Sequence, residues 1–160
     1  YLENLPYKLR TEASMYVYQH IFSGVDFLSH QNTCFISWIS PRLKPQIFDE
    51  AQPIFTQGDT VSEIYFLSRG KACYASPLIN YRKFSRIKEG ATFGINDLLA
   101  CWRIRYGEFD ITRNYPYSGV KRIFTVIAIN TIECLTIDSG DLKIIQDQWV
   151  NEFIDLHEMA

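Results

Sequence analysis

Few residues of this chain have the types and the spacing of a catalytic or metal-binding site. His20, His30 and His157 share no His-x-His or His-x3-His spacing, so the histidines do not indicate a metal centre. No Ser/His/Asp set and no suitably spaced pair of carboxylates supports an enzyme. We therefore expect a protein that binds a ligand or a partner and is not an enzyme.

The four cysteines are far apart in the sequence and form no Cys-x-x-Cys pair. Each has apolar neighbours, which favours buried free thiols over disulfides or a metal site and fits a reducing compartment. The cysteines are Cys34, Cys73, Cys101 and Cys134.

The segment between Leu99 and Lys121 is rich in aromatic, basic and turn-forming residues. Such a mixture can stack on single-stranded nucleic acid. Glu108, Asp110 and the net charge of −2 argue against that use, so no nucleic-acid partner is expected. A connection of this length is usually functional or mobile. We expect residues 100–120 to be poorly ordered or to form an extra excursion.

The length and composition fit one domain with a sizeable core. The chain has 160 residues, of which 47% are hydrophobic. No apolar run approaches the ~20 residues of a membrane span, and no signal peptide is visible. The sequence opens on Tyr1 without an initiator Met, which suggests a piece of a larger protein.

Two helices are predicted before residue 43. The first begins at Leu5-Pro6, ends at Ser23-Gly24, and carries one apolar stripe. The residues of this stripe are Leu9, Ala13, Val17 and Ile21, with Tyr16 and His20 alongside. A second, shorter helix has Asn32 or Thr33 as its cap and ends at Pro41. Its inward-facing residues are Phe35, Ile36 and Ile39.

Between Leu43 and Asp138 the pattern changes to short strands separated by turns, which is typical of an antiparallel sandwich, jelly roll or barrel. Strands are predicted at 46–48, 54–55, 64–67, 72–75, 84–87, 123–129 and 132–137. The last two are predicted to form a hairpin with Asn130-Thr131 at its tip, and 64–76 a tight antiparallel meander. Helix returns after the capping cluster 138–141. There one face carries Leu142, Ile145, Trp149, Phe153 and Leu156.

Three motifs in this strand region resemble those of cyclic nucleotide-binding domains. Residues 58–70 resemble the pattern G-D-x5-Y-x-I-x2-G, with Leu67 in place of the Ile. Residues 90–94, Gly-Ala-Thr-Phe-Gly, are similar to the G-x2-F-G that opens the phosphate-binding cassette. Residues 122–128 resemble the family's R-[TS]-A-[TS]-V-x-A. The resemblance covers about residues 25 to 155.

The resemblance implies an α+β fold in which an antiparallel β-roll, or jelly roll, is flanked by N-terminal and C-terminal helices. It divides the chain into a linker-like helix at 1–26 and the cyclic nucleotide-binding-like domain at 27–160. Within that domain the β-roll spans about 43–138 and the C-terminal helix about 139–157. Residues 5–10 are similar to the L-P-x2-L-R at which a linker helix begins in voltage-gated cation channels of this family.

For function, the resemblance implies a regulatory module on the cytoplasmic side of a membrane, with cAMP or cGMP as its ligand. Its partner would be the transmembrane part of the same channel, as a homotetramer, and ligand binding would be coupled to pore gating. The alternative is a structural or assembly domain that binds no nucleotide and fills the pocket with its own residues.

The same resemblance points to six ligand-site residues: Phe93, Gly94, Ile95, Asn96, Arg122 and Ile123. It implies that Arg122 binds the phosphate, because a guanidinium fits two phosphate oxygens. Arg122, which follows Lys121, could instead be only the solvated start of a strand.

The sequence departs from the family where the ribose is bound. Ile95 stands where the family has an acidic residue for the ribose hydroxyl, and Asn96 or Asp97 could substitute only if the loop shifts. Ile123 and Phe124 replace a small hydroxyl residue and an Ala. These changes predict weakened binding, and Ile95→Glu is expected to strengthen it.

Overall fold

The structure is a computed structural model that describes residues 4–108, 110 and 112–159. The helices are α1 (Tyr7–Phe22), α2 (Asp26–Ser29), α3 (Thr33–Ile39), α4 (Asn96–Tyr106), α5 (Ser139–Gln148) and α6 (Val150–Glu158). The strands are β1 (Lys44–Phe48), β2 (Pro53–Phe55), β3 (Glu63–Arg69), β4 (Ala72–Ser76), β5 (Arg82–Ile87), β6 (Thr92–Phe93), β7 (Thr125–Ala128) and β8 (Ile132–Asp138).

The strands form two antiparallel sheets with the orders β1-β8-β3-β6 and β2-β7-β4-β5. Side chains from both sheets meet in one buried cluster, which includes Phe55, Leu67 and Val126. Helices lie before and after the strands. The predicted fold class, an antiparallel β-roll flanked by helices, is therefore confirmed.

The predicted pairing of neighbouring strands is wrong at two places. The strands at 123–129 and 132–137 do not form a hairpin, because β7 pairs with β2 and β4 while β8 pairs with β1 and β3. The stretch 64–76 is not a meander, since β3 and β4 also lie in different sheets. Both connections cross between the sheets at one corner. There Ile129 N donates to Lys71 O at 2.8 Å, and Lys71 N donates to Asn130 Oδ1 at 2.8 Å.

A second buried cluster joins the helices to the outer face of the first sheet. Phe66 of β3 is stacked on Phe27 of α2 at a centroid distance of 5.7 Å. Asn32 caps α3 as predicted, because its Oδ1 accepts a hydrogen bond from Phe35 N at 2.9 Å. The inward-facing residues Phe35 and Ile39 are fully buried in this cluster.

Helix α1 packs with a different face from the predicted stripe. Leu9, Tyr16 and Val17 are exposed, whereas Tyr18 and Phe22 are buried in the same cluster as the rest of the helices. The predicted spacing of four residues is that of a helix, but this spacing alone does not determine which face of the helix packs against the core. The proposed division of the chain at residue 26 stays a prediction.

The C-terminal segment is two helices where one was predicted. The backbone leaves helical geometry at Trp149, with φ −126° and ψ 59°, between α5 and α6. This turn keeps the predicted inward face buried, since Leu142, Ile145, Phe153 and Leu156 are fully enclosed. The Trp149 ring packs edge-on against Phe35 at 5.3 Å.

Residues 100–120 pack against the domain through several aromatic side chains, whereas many of the other described residues of this segment are exposed. Helix α4 extends to Tyr106, and the ring of Trp102 stacks on Tyr115 at 4.6 Å. Trp102 Nε1 donates to Pro116 O at 2.9 Å, and the Tyr117 hydroxyl donates to Gln146 Oε1 of α5 at 2.5 Å. The segment is an excursion, as one alternative predicted, and its degree of order stays a prediction. Phe109 and Ile111 lie outside the described residues.

Burial of the cysteines is mixed. Cys73 and Cys134 are buried, Cys101 is half-buried and Cys34 is exposed, so the prediction of a buried thiol is wrong for Cys34. Burial raises the pKa of Cys134 to about 12, which makes that thiol unreactive near neutral pH. None of the described helices is both long and apolar enough to span a bilayer.

Candidate ligand site at the start of helix α4

Arg122 is held in place by the glycine–aspartate turn that opens the first motif. Its backbone N–H donates to Asp59 O at 2.8 Å, and its carbonyl accepts from Gly58 N at 2.9 Å. Asp59 in turn closes its own turn by accepting from Thr56 N at 2.9 Å. The turn therefore fixes the backbone from which the Arg122 side chain enters the roll.

The Arg122 side chain is buried, with 3% exposure, so it is not the solvated start of a strand. One guanidinium nitrogen, Nη1, lies 3.0 Å from Asp97 Oδ2. The same nitrogen donates to Gly94 O, and Nη2 donates to Glu63 O. The guanidinium carbon lies 3.9 Å from the centroid of the Phe55 ring. The positive charge thus already has a carboxylate, two carbonyls and an aromatic face around it.

Asp97 belongs to the first turn of α4, where a carboxylate is favoured by the helix dipole. Its Oδ1 accepts from Ile123 N at 2.8 Å while its Oδ2 faces Arg122. The aspartate therefore ties the start of α4 to the start of the segment that leads into β7.

Gly94 is required by this arrangement. Its φ is +85°, and a Cβ there would lie 3.0 Å from Arg122 Nη1 and 3.1 Å from Tyr65 Cδ2. Only a glycine combines that backbone conformation with so close an approach.

A pocket of about 260 Å³ opens beside the Arg122–Asp97 pair, between α4 and the strands β4 and β5. Its walls are aromatic, because the Phe84 and Phe124 rings meet edge-to-face at 5.2 Å and Tyr74 stacks on Phe84 at 6.2 Å. The remaining lining residues are Ser85, Asn96, Asp97, Ala100 and Ile123. Its volume is just below the roughly 300–1,000 Å³ typical of small-molecule sites.

Two of the six predicted site residues, Asn96 and Ile123, line this pocket. Gly94 and Arg122 do not line it; they are connected to it through Asp97, which lines the pocket and pairs with Arg122. Phe93 does not line it, because its ring is buried between the sheets and stacked on Tyr65 at 5.0 Å.

Ile95 does not line the pocket either. Its side chain is fully buried in the cluster that joins the helices to the first sheet. An acidic side chain at 95 would therefore enter an apolar core, and the expected gain in binding from Ile95→Glu has no structural basis. The carboxylate near Arg122 comes from Asp97, two residues later.

Sequence reasoning missed the aromatic wall. Phe84 is the one apolar residue among the first five of the otherwise polar strand β5, and this isolated aromatic residue was the available signal. No signal in the sequence marked Tyr74, because it continues an ordinary strand pattern. Burial raises the pKa of Tyr74, so its hydroxyl stays protonated near neutral pH.

A larger pocket of about 570 Å³ adjoins the first one and shares Asn96 and Ala100 with it. Its other walls include Arg103 of α4 and His157 of α6. The C-terminal end of α6 therefore lies close to the helix that carries Asp97.

No family model matches the chain. Two curated proteins of Arabidopsis thaliana are similar to it. Cyclic nucleotide-gated ion channel 2 is 26% identical over 153 residues, which is 95% of this chain. The probable cyclic nucleotide-gated ion channel 5 is 26% identical over 154 residues and 92% of the chain. The chain spans about a fifth of the length of each, 20% in both cases.

The chain is homologous to cyclic nucleotide-gated ion channels. Solved structures give the fold of this domain. The regulatory subunit of a cAMP-independent protein kinase A from Trypanosoma brucei superposes with a TM-score of 0.70 at 12% identity, over 92% of this chain and 46% of that one. A putative cyclic nucleotide-binding protein from Geobacter metallireducens gives 0.64 at 11% identity, over 88% and 89%. The resemblance predicted from the sequence is confirmed.

Proposed function

We propose that the chain is a regulatory module on the cytoplasmic side of a cation channel, where the state of its β-roll is coupled to the pore. The observation that carries this proposal is the buried Arg122, paired with Asp97 at the start of α4, in a domain similar to a channel protein along 95% of its length. The homologues are channels and regulatory domains, which points away from an enzyme. The implied partner is the transmembrane part of the same protein, assembled as a homotetramer.

A cyclic nucleotide is the ligand that this geometry supports. Its phosphate would bind the guanidinium of Arg122, and its base would pack against the aromatic rings of Phe84 and Phe124. Asp97 must then release Arg122 and can accept a ribose hydroxyl, the role that the family's acidic residue has at the position of Ile95. Because a phosphate has to displace an existing carboxylate, affinity for cAMP or cGMP is expected to be low.

The second candidate function is a domain that binds no nucleotide and holds its pocket shut with its own residues. The observation that favours it is the pairing itself: Arg122 is buried and already neutralised by Asp97 at 3.0 Å. The same fold occurs in the regulatory subunit of a protein kinase A described as cAMP-independent, so the fold alone does not imply that cAMP is the ligand.

Calorimetric titration with cAMP and cGMP separates these functions when it includes Asp97→Asn. If Asp97 competes with the phosphate, Asp97→Asn strengthens binding. If Asp97 accepts the ribose hydroxyl, the variant weakens it. Asp49→Asn, at an exposed position, is the control and should leave binding unchanged. Absence of heat for the wild type and Asp97→Asn at millimolar nucleotide would support the self-filled domain.

A further inference from the structure

Cationic side chains are concentrated in one part of this acidic chain. Residues 64–88 contain six of the 16 Lys and Arg residues and none of the 18 Asp and Glu residues. The other 135 residues therefore hold ten cations against 18 carboxylates. The net charge of the chain is small, but its charges are strongly separated along the sequence. Residues 64–88 therefore have a positive electrostatic potential of their own.

The hairpin of β4 and β5 carries most of these cations. Arg82, Lys83 and Arg86 lie in β5, and Lys88 follows its end. β5 is an edge strand that pairs only with β4 in its sheet, and its first five residues are all exposed. The cations therefore extend along a free edge of the roll.

The tip of the hairpin is apolar and points into solvent. Leu78 is 87% exposed, and Ile79 and Tyr81 are each about half exposed, at 50% and 53%. The tip is folded, since Tyr81 N donates to Ser76 O at 2.9 Å and Asn80 and Tyr81 adopt left-handed φ values of 54° and 55°. Two consecutive left-handed residues other than glycine are uncommon. They give this turn a defined shape that presents its aliphatic side chains outward.

We propose that this hairpin docks on an anionic lipid surface. Aliphatic side chains at an exposed tip can enter the headgroup–acyl boundary, while adjacent cations contact the anionic headgroups. Single-stranded nucleic acid fits less well, because stacking of successive bases needs several free rings, whereas Leu78 and Ile79 have none, Tyr81 supplies a single ring at the tip, and the ring of Phe84 already contacts Tyr74. This inference goes beyond the proposed function and needs no bound nucleotide.

Cosedimentation of the 160-residue chain with large unilamellar vesicles tests the proposal. Vesicles with about 30% phosphatidylserine in phosphatidylcholine should bind the chain, and pure phosphatidylcholine should bind it far more weakly. Raising the salt from about 50 mM to about 300 mM should weaken binding, since the Debye length shrinks.

Two double-arginine variants, one in β5 and one in α4, give a matched comparison of the effect of charge on vesicle binding. Arg82→Gln/Arg86→Gln should weaken vesicle binding about 25-fold, because each cation at an anionic surface contributes roughly fivefold. Arg103→Gln/Arg105→Gln removes the same charge from exposed positions of α4 and should have less than about a twofold effect.

The apolar tip has its own matched pair. Leu78 and Ile104 are 87% and 85% exposed, one at the tip and the other on α4. Leu78→Ser should weaken vesicle binding about tenfold. The variant lacks the apolar side chain whose transfer from water into the lipid favours docking. Ile104→Ser should leave it unchanged. Both should keep the melting temperature of the wild type.

Three results would overturn the proposal. One is equal binding to vesicles with and without phosphatidylserine. Another is an equal loss in the two double-arginine variants, which would indicate a general charge effect. The third is binding of the hairpin to a single-stranded oligonucleotide with no vesicle binding, which would assign this surface to nucleic acid. Nucleotide titration is a separate measurement, so failure here leaves the proposed function standing.

Discussion

Arg122 and Asp97 form an ion pair of 3.0 Å in which the side chains keep only 2% and 6% of their exposure. The pair joins the first turn of α4 to the segment that leads into β7. Asp97 also accepts a hydrogen bond from the N–H of Ile123 in that segment. A charge removed from water needs such partners, because its desolvation costs several kcal/mol. The pair therefore affects the stability of this region, and it also affects whether the Arg122 guanidinium is available to an anion.

The first prediction follows from that burial. Arg122→Gln leaves the Asp97 carboxylate enclosed without its cation and should lower the free energy of unfolding by about 3–5 kcal/mol. Asp97→Asn should cost less, about 2 kcal/mol, because two carbonyls still accept from Arg122. In urea denaturation the double variant should be more stable than additivity of the two losses predicts.

The exposed pair Arg69–Glu133, at 3.8 Å, is the control for this prediction. Arg69→Gln should cost less than about 1 kcal/mol, as surface pairs do. A similar small loss for Arg122→Gln would mean that water reaches the Arg122 site in solution.

The second prediction uses two adjacent residues with opposite environments. Ile95→Glu places a carboxylate in the apolar cluster and should cost at least about 4 kcal/mol of unfolding free energy. Asn96→Glu places the same group at the exposed first position of α4, where the helix dipole favours it, and should be neutral or slightly stabilising. Thermal melts of the two variants give the comparison. Equal stability would show that Ile95 faces solvent.

Local patterns in the sequence located every described strand except the two-residue β6, but they did not pair the strands. The β-branched and aromatic run at 64–67 and the strand pattern at 132–137 correctly predicted β3 and β8. The turn residues Ser68, Arg69 and Gly70 looked like the connection of a meander, yet the chain passes there into the other sheet. Pairing depends on contacts distant in sequence, such as Ile129 with Lys71.

The candidate site shows the same limit. The motifs identified Gly94 and Arg122 because each needs a particular residue type at one position. They did not identify Asp97 as the partner of Arg122, since the two are 25 residues apart and the contact exists only in the folded chain. Likewise, the period of the α1 stripe was visible, but its direction depends on packing against α3.

A third prediction concerns the connection between α4 and β7. Tyr117→Phe removes the hydroxyl that donates to Gln146 and should cost about 1 kcal/mol. Hydrogen exchange should then accelerate in residues 113–120, because Gln146 also holds the Arg113 carbonyl at 2.9 Å. Tyr81→Phe, at the exposed hairpin tip, should change neither quantity. Rapid exchange of this segment in the wild type would contradict the packed connection.

The fourth prediction is a loss of stability at alkaline pH. Burial, with Glu63 nearby, raises the pKa of Tyr65 to about 12 from its usual 10.0. A raised pKa means that the unfolded chain loses this proton first, so the contribution to stability is complete below about pH 10 and declines up to about pH 12. Melting temperatures between these values should fall less steeply for Tyr65→Phe than for the wild type. Parallel slopes would place the Tyr65 hydroxyl in water.

The last prediction tests the corner where the chain changes sheets. Gly70 has a φ of +92°, and a Cβ there would lie 2.7 Å from Thr131 O and 2.8 Å from Ile132 Cγ2. Gly58 has nearly the same φ, +90°, with nothing within 4 Å of its Cβ position. Gly58→Ala therefore measures the conformational cost alone, about 1–2 kcal/mol. Gly70→Ala adds the contact with the backbone of the opposite connection and should cost at least about 2 kcal/mol more in urea denaturation. Equal losses would mean that the two connections can separate without cost, and that the corner does not hold the sheets together.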